Sequence, residues 1–375
     1  MINSLGASGG AEHGLVREIT NFSSDVGHLV VRLFAKDQLD VALSAADIPV
    51  VWLGLDSSRA GWNWPLAARR LLAVIEGFDP DVIHSSLFAA NLVAQMAGRR
   101  ASLPVLSTFT LSGDETLLRN FQPGAASIRG SVLRRIAAMA ARSDLVNFRS
   151  LTWDALHTNC RLLGIDPSRA CVIPRGVPGD LRPVKTKERE ELGVPDNVPL
   201  LVNVGRQTAQ KGHLALLEAF DEVRRSRKAH LVIIGREGEM TPEVNRAIEQ
   251  SNLGSCVTLT GYTPDVFHYL DHASLFVFSS FMEGLGTSVL EALSFGLPVV
   301  AFDIPPVREA TDGGRLARLI RPGDITGLAK EIIMVLDERP EKDQRTVEWV
   351  SDNYRIETVS ARVEALLRKL AAQHG

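Results

Sequence analysis

A glycine-rich turn between two glutamates is the part of the sequence best suited to chemistry. Glu283 precedes the turn, and Glu291 lies inside the helix predicted to begin at Thr287. Glycines let backbone amides approach a ligand closely, and the free N–H groups at the start of a helix bind anions. A carboxylate at Glu291 would bind vicinal hydroxyls, as acidic residues do on a ribose.

Two cations lie on a second turn between a strand and a helix. Gly205, Arg206 and Lys211 follow the predicted strand Leu200–Val204 and precede an apolar helix. Two positive charges there would neutralise a diphosphate, and an arginine can hold one through two parallel hydrogen bonds. The alternative for both turns is that the glutamates flank a packing helix and the cations are solvated. The order of strand, glycine turn and helix favours binding of a diphosphate and a pentose.

Short apolar runs alternate with helical patterns along the chain, which is typical of α/β proteins with parallel sheets. Only Met1–Asn3 remain for the strand that should precede the first glycine turn. The predicted strands are His28–Ala35, Val50–Leu53, Val82–His84, Val105–Thr108, Leu145–Phe148, Cys171–Ile173, Leu200–Val204, His230–Ile234, Val257–Thr260, Leu275–Ser279 and Pro298–Phe302. The predicted helices are Gly10–Asn21, Trp64–Glu76, Leu87–Arg99, Ser131–Ala141, His213–Ser226, Glu243–Ser251, Thr263–Asp271, Thr287–Phe295, Ile325–Asp337 and Ile356–Ala372.

One segment interrupts this alternation near the middle of the chain. Pro174–Val184 is rich in proline and glycine and has no periodicity, so it is the best candidate for a linker. We therefore predict an N-terminal Rossmann-like domain over residues 1–177 and a C-terminal one over residues 178–352. Two such domains imply a cleft, and ligands favour clefts and the carboxyl ends of parallel strands.

Composition fits a two-domain globular enzyme. The chain has 375 residues, of which 45% are hydrophobic and 23% charged, enough for two cores without disulfides. Its net charge of -3 argues against a dedicated nucleic-acid binder. The three cysteines form no C-x-x-C pair, which fits a reducing compartment. No apolar run reaches the ~20 residues that span a bilayer, and the opening residues lack signal-peptide features. We therefore expect a cytoplasmic protein.

Positive charge is concentrated in one region. Between Arg119 and Arg175 there are nine arginines against three aspartates. One interpretation is a set of solvated helix faces. The other is a surface that meets anionic lipid headgroups or a phosphorylated acceptor. The second would place the protein peripherally at the inner face of a membrane.

The two turns resemble those of family 4 of the retaining glycosyltransferases, which have the GT-B fold of two Rossmann-like domains facing each other across a cleft. Glu283 and Glu291 match the Glu-x7-Glu motif of that family, and Gly205-Arg206 with Lys211-Gly212 match its GR…KG loop. The resemblance spans nearly the whole chain. Further matches are Gly9-Gly10-Ala11-Glu12, Pro80-Asp81-Val82-Ile83-His84 and Val172-Ile173-Pro174-Arg175-Gly176-Val177.

The resemblance implies a role for each matched residue of the C-terminal half. Arg206 and Lys211 would hold the donor diphosphate and stabilise the departing nucleotide. Glu291 would bind the ribose hydroxyls, and Glu283 would contact the donor sugar near its reacting centre. The amides of Gly284–Ser288 would support sugar and phosphate.

In the N-terminal half the resemblance implies fewer contacts. Gly9 and Gly10 would let this domain close on the diphosphate. His84 and Thr110 are candidates for the acceptor side, with a structural role for His84 equally open. In the GT-B fold the final helix packs back on the N-terminal domain, which we expect for residues 353–375.

The sequence departs from the family in three places. The run Ser107–Thr110 lacks the histidine that many members carry after this strand. Arg175 stands where the family usually has asparagine, and Asp303–Glu309 replaces a glycine pair, so a stiffer loop is expected there.

These observations predict a retaining glycosyltransferase that moves a sugar from a nucleoside-diphosphate sugar to a hydroxyl acceptor. The acceptor would be a glycolipid or a growing polysaccharide, as in cell-envelope or exopolysaccharide synthesis. No metal or other cofactor is expected, because Asp79-Pro80-Asp81 leads straight into a strand and is interpreted as a turn. Two alternatives remain open: a nucleotide-sugar 2-epimerase and a non-catalytic glycan-binding scaffold.

Overall fold

The chain forms two compact α/β units. The computed structural model describes all residues except 6–9, 36, 56–62, 113, 122–127, 180, 182–186, 188, 196–197 and 375. Unit 1 comprises Met1–Gly176 and Ile356–Gly375, and unit 2 comprises Val177–Arg355. Because helices alternate with parallel strands in both units, the predicted α/β class is confirmed.

Unit 1 is built around parallel strands. Its strands are β1 (Val30–Phe34), β2 (Val50–Leu55), β3 (Ile83–Ser86), β4 (Val105–Phe109), β5 (Val146–Ser150) and β6 (Ala170–Val172). Its helices are α1 (Gly10–Ile19), α2 (Asp40–Ser44), α3 (Trp64–Phe78), α4 (Phe88–Ala101), α5 (Glu115–Phe121), α6 (Ile128–Ala140) and α7 (Trp153–Leu163), with α15 (Ile356–His374) added from the chain end.

Ile2, near the start of the described residues, joins the two sheets of unit 1. Ile2 forms parallel bridges with Arg32 of β1 and with Ser86 of β3. β1 pairs with β2, and β3, β4, β5 and β6 follow one another in that order. Ile2 therefore lies between the two sheets, with β1 and β2 on one side and β3 to β6 on the other.

Unit 2 repeats this plan with one continuous sheet. Its strands are β7 (Leu200–Val204), β8 (His230–Ile234), β9 (Val257–Gly261), β10 (Leu275–Phe278), β11 (Val299–Phe302) and β12 (Arg318–Ile320). Its helices are α8 (His213–Ser226), α9 (Thr241–Gln250), α10 (Val266–His272), α11 (Thr287–Ser294), α12 (Pro305–Ala310), α13 (Ile325–Glu338) and α14 (Gln344–Tyr354).

The strand order of unit 2 creates a switch point. The order is β12-β11-β10-β7-β8-β9, and all of the pairs are parallel. From β7 the chain adds β8 and β9 on one side and then returns to add β10 to β12 on the other. The loops after β7 and β10 consequently leave the carboxyl edge side by side and in opposite directions. Open α/β sheets bind their ligands at such a point.

The central strands of unit 2 are buried on both faces, which explains their sequences. The runs of β8, β10 and β11 consist entirely of buried residues, as expected for strands covered by helices on both sides. Phe220 of α8 and Ile332 of α13 are fully buried in the core beside these strands. Each such side chain stabilises the fold by about 2 kcal/mol relative to exposure. The two loops at the switch point thus start from a rigid base.

The last helix belongs to unit 1. Val359 and Val363 of α15 are fully buried beside Ile173. The backbone N–H of Ser23 donates to the Glu364 carboxylate at 2.8 Å, which ties α15 to the segment after α1. No helix of the described chain combines the length and the apolar character needed to cross a membrane.

Candidate functional site

Two hydrogen bonds tie the turn after β7 to the turn after β10. The Ser279 hydroxyl donates to the carbonyl of Lys211 at 2.9 Å, and the Phe281 N–H donates to the carbonyl of Gln210 at 2.8 Å. The short 3₁₀ turn Ala209–Lys211 is therefore fixed against the neighbouring strand end. The side chains carried by the two turns therefore lie close together at the switch point.

Glycines make this close approach possible. Gly212 has a φ of +66°, and a Cβ added there would lie 2.1 Å from the carbonyl oxygen of Ser279. Gly235, directly after β8, has a φ of +155°, and a Cβ there would lie 2.0 Å from the carbonyl oxygen of Gly205. A side chain at Gly212 would push the turns after β7 and β10 apart, and one at Gly235 would displace the backbone of Gly205 directly after β7.

Lys211 and Glu283, which the sequence predicts for the same site, are in direct contact. The Lys211 Nζ lies 2.6 Å from Glu283 Oε1, and the two side chains are 19% and 11% exposed. The lysine stem lies over Gly205, where an added Cβ would be 3.1 Å from its Cδ. The ammonium also lies 5.9 Å from the centre of the Phe278 ring. An ammonium has three donors, so Glu283 uses one and leaves two for a ligand.

A buried histidine and asparagine, not among the predicted site residues, connect the strand ends beside this lysine. His213 Nε2 lies 3.0 Å from Asn203 Oδ1, while Asn203 Nδ2 donates to the carbonyl of Val277 at 2.9 Å. Because the asparagine oxygen accepts, Nε2 carries the proton. Burial, reinforced by the charge of Lys211, lowers the pKa of His213 to about 4. The neutral ring links β7, α8 and β10 directly behind the turn. A histidine following Lys-Gly at a predicted helix start was the available signal.

The glycine turn after β10 leads into α11 with its amides uncapped. Gly286 precedes the helix with a φ of +78° and, as a glycine at the N-cap position, makes no side-chain cap hydrogen bond. One amide of that turn, from Val289, donates back to the Gly286 carbonyl at 2.8 Å. Leu285 is buried, whereas Glu291 on the helix is half-buried. The start of α11, which includes Thr287 and Ser288, thus presents N–H groups and the positive end of the helix dipole beside the Lys211–Glu283 pair.

Arg206 lies on the same turn as Lys211 and is exposed. Within the described part of the chain, no hydrogen bond or ion pair of its guanidinium is found. The backbone around it is fixed, since the N–H of Gln207 donates to the carbonyl of Arg236 at 3.0 Å. The guanidinium is therefore held on an anchored turn with its donors available.

The predicted residues of unit 1 have different surroundings. Gly9 lies outside the described residues, and Gly10 is the first residue of α1. Thr110 directly follows β4 and is half-buried. His84 Nε2 lies 3.0 Å from the Thr108 hydroxyl, and burial keeps the pKa of His84 well below its usual value. β3 continues to Ser86, so the strand-end position predicted for His84 is wrong. Contact with an acceptor stays a prediction.

Arg175, which departs from the family pattern, holds the start of α1. Its guanidinium donates to the carbonyl of Gly10 at 3.1 Å. A Cβ added at Gly14 would lie only 2.5 Å from the Arg175 Cδ, so the side chain packs directly against this glycine. Burial lowers the pKa of Arg175 to about 10. Beside it, Arg149 and Glu18 form a buried ion pair at 2.7 Å, each 2% exposed. These charges fix α1 to the end of the unit 1 sheet.

Comparison with known proteins gives the family. The family model "Glycosyl transferase 4-like domain" matches residues 13–176, and "Glycosyl transferases group 1" matches residues 184–349. The 2-deoxystreptamine N-acetyl-D-glucosaminyltransferase of Streptomyces fradiae is 29% identical over 263 residues, which are 67% of this chain and 61% of that protein. The chain thus spans about three-fifths of the length of that relative. The putative teichuronic acid biosynthesis glycosyltransferase TuaC of Bacillus subtilis is 27% identical over 321 residues, 83% of this chain and 76% of TuaC.

Solved structures share the fold. HepE of Anabaena, crystallised with UDP and glucose, has a TM-score of 0.82 and 20% identity, and the match covers 98% of both chains. A glycosyltransferase of Rickettsia africae has a TM-score of 0.76 and 17% identity, covering 98% of this chain and 97% of that one. With the two family models placed end to end along the sequence, the chain belongs to the GT-B glycosyltransferases of family 4, as its two turns predicted.

Proposed function

We propose that the protein is a retaining glycosyltransferase that uses a nucleoside-diphosphate sugar as its donor. One observation carries the proposal. The Lys211–Glu283 pair lies at the switch point of the unit 2 sheet, next to the uncapped start of α11. A cation, a carboxylate and free amides in one place match a ligand that joins a diphosphate to a sugar.

The donor would lie across the two turns. Lys211 and Arg206 would hold the diphosphate, and the amides of Gly284–Ser288 would share its charge with the sugar hydroxyls. Glu291, on α11, would take the ribose hydroxyls. Glu283 would contact the transferred sugar while keeping its bond to Lys211, because the ammonium has donors to spare. The same pair would thereby set the distance between phosphate and sugar.

The reaction would proceed on one face of the sugar. The bond between the anomeric carbon and the phosphate oxygen breaks, and a bond from that carbon to the acceptor oxygen forms on the same face. The departing diphosphate takes the acceptor proton, so no protein base is required. Negative charge grows on the phosphate oxygen as this occurs. Cations and amides that are already in place stabilise that charge without reorganisation.

The relatives support a sugar donor and a glycan product. HepE was crystallised with UDP and glucose, and TuaC is named for teichuronic acid synthesis. A lipopolysaccharide core glycosyltransferase of Rhizobium meliloti is a further relative, 27% identical over 149 residues. We infer an acceptor hydroxyl on a glycolipid or on a growing cell-envelope polysaccharide.

A two-step experiment tests the proposal. UDP, GDP and dTDP sugars are first screened by thermal shift, since a ligand that binds only the folded state raises Tm. Donors that shift Tm are then incubated with lipid-linked and soluble glycan acceptors, and the product is read by proton NMR. The proposal expects a new glycoside with the anomeric configuration of the donor. An inverted product, or an epimerised donor with no glycoside, would overturn it.

A further inference from the structure

Two neighbouring helices of unit 1 expose apolar side chains together with arginines. Among residues 130–142, which cover most of α6 and the residue pair after it, the exposed positions are Val132, Arg135, Ile136, Met139 and Arg142. Their spacing places them along one stripe of the helix. A stripe that faces water normally carries mainly polar residues, yet three of these five are apolar. The opposite stripe, which includes the buried Ala137, faces the core.

The next helix continues this character. α7 exposes Trp153, His157 and Arg161, again one turn apart along a single stripe. Trp153 is 57% exposed, and its ring stacks on His157 with centres 5.9 Å apart. α6 and α7 pack against each other. The eight exposed residues named so far, on these two helices and directly after α6, are called the α6–α7 surface below.

The exposure of this surface is large for apolar side chains. Met139 is 67% exposed, Val132 50% and Ile136 40%. Together with Trp153, they make up four of the twelve large hydrophobic residues that are exposed in the described chain, within a span of 22 residues. Scattered exposed hydrophobics need no explanation, but a cluster of this kind marks a contact surface.

Charge selects the partner. The exposed charges of the α6–α7 surface are Arg135, Arg142 and Arg161, against the exposed Asp144 after α6 and the half-buried Asp154 on α7. Arginines around apolar side chains, with a tryptophan at the edge, suit the boundary between anionic headgroups and acyl chains. We propose that the α6–α7 surface docks the protein on an anionic lipid bilayer. This deepens the proposed function, and rests on it, because a lipid-linked acceptor is held at such a surface.

Vesicle flotation of the full chain tests this without any sugar present. Vesicles of phosphatidylcholine with one third phosphatidylglycerol should carry the protein, and pure phosphatidylcholine vesicles should not. Replacing Arg135 and Arg142 by glutamine should weaken binding about fivefold for each arginine. The triple variant Val132→Ser, Ile136→Ser, Met139→Ser should weaken it by about fivefold for each residue, since about half of each side chain remains to be buried.

Matched variants elsewhere separate the surface from general effects. Arg99→Gln with Arg100→Gln changes the net charge equally at an exposed helix end. Val41→Ser, Leu66→Ser and Met334→Ser remove exposed apolar side chains from other helices. Both sets should bind the anionic vesicles as the unaltered protein does.

Three results would overturn the proposal. The first is equal binding to neutral and anionic vesicles. The second is an equal loss of binding to anionic vesicles in the test variants and the control variants. The third is a dimer, seen by light scattering, that the triple serine variant dissociates while vesicle binding is absent; the surface would then join two copies. Transfer to a water-soluble acceptor is measured in parallel, so a failure of docking is distinguishable from a failure of the glycosyltransferase function.

Discussion

Replacing Lys211 by methionine removes the charge at the switch point but keeps most of the stem that packs over Gly205. The Lys211 side chain is 19% exposed and its ammonium is held at 2.6 Å by Glu283, so it is preorganised for a charge that develops nearby. Loss of one such donor lowers kcat by about 100- to 1,000-fold in enzymes that stabilise an oxyanion. We therefore expect kcat/KM for Lys211→Met to fall by a factor in that range.

Stability should change far less. The pair is intermediate between exposed ion pairs, which contribute up to about 1 kcal/mol, and buried ones, whose disruption costs about 3–5 kcal/mol. We expect the free energy of unfolding to fall by about 2 kcal/mol. The activity loss should therefore exceed anything that a lower Tm explains at the assay temperature.

Lys187 supplies a matched control in the same unit. It pairs with Asp265 at 2.7 Å, and the two side chains are 38% and 29% exposed. Lys187→Met should change stability little, because exposed ion pairs are screened by solvent, and should leave transfer rates unchanged. Initial rates of nucleotide release, with the donor found by thermal shift, compare the two variants. If Lys211→Met kept kcat/KM within about threefold of the unaltered protein, its role at the diphosphate would be refuted.

Three further outcomes follow from the structure. The Tm of Gly212→Ala should lie well below that of Gly164→Ala. Both glycines have φ near +65°, but only at Gly212 would the added Cβ meet a carbonyl oxygen, at 2.1 Å. Equal Tm values would contradict this. Arg149→Met should lower stability by about 3–5 kcal/mol by leaving Glu18 buried and unpaired, and a shift under about 1 °C would refute the burial of the pair. His213, with a folded pKa of about 4, stabilises the native state fully above pH 6.5, and as the pH falls from 6.5 through 4 up to about 3 kcal/mol of that stability is lost. The free energy of unfolding from urea titrations should depend less on pH for His213→Gln than for the unaltered protein. An identical pH dependence in the two would argue against the low pKa of His213.

The sequence predicted unit 2 closely for a physical reason. Leu200–Val204, His213–Ser226 and His230–Ile234 have the bounds expected, because buried parallel strands appear as unbroken apolar runs between amphipathic helices. Other elements were missed although their signals were present. Asp303–Glu309 was expected to be a stiff loop, but prolines are favoured in the first turn of a helix, and α12 begins at Pro305. The helix α7 follows Thr152, whose hydroxyl accepts from the Ala155 N–H as an N-cap.

The site was predicted in part. Spacing indicated that Lys211 and Glu283 serve the same ligand, but not that they bind each other, since they are 72 positions apart. Their contact depends on β10 lying beside β7. Local sequence patterns predict strands but not the order of those strands in the sheet. The link between His213 and Asn203 beside Lys211 was missed for the same reason. A buried neutral histidine and an exposed one have the same sequence signature.

A crystal structure with the nucleoside diphosphate that raises Tm most tests the proposed donor site directly. Diphosphate oxygens should lie within hydrogen-bonding distance of Lys211 Nζ, Arg206 and the first amides of α11. The Glu283 carboxylate should stay hydrogen-bonded to the Lys211 ammonium while the diphosphate occupies the remaining donors of that ammonium. A diphosphate bound elsewhere, with the two turns of unit 2 untouched, would contradict the proposed donor site.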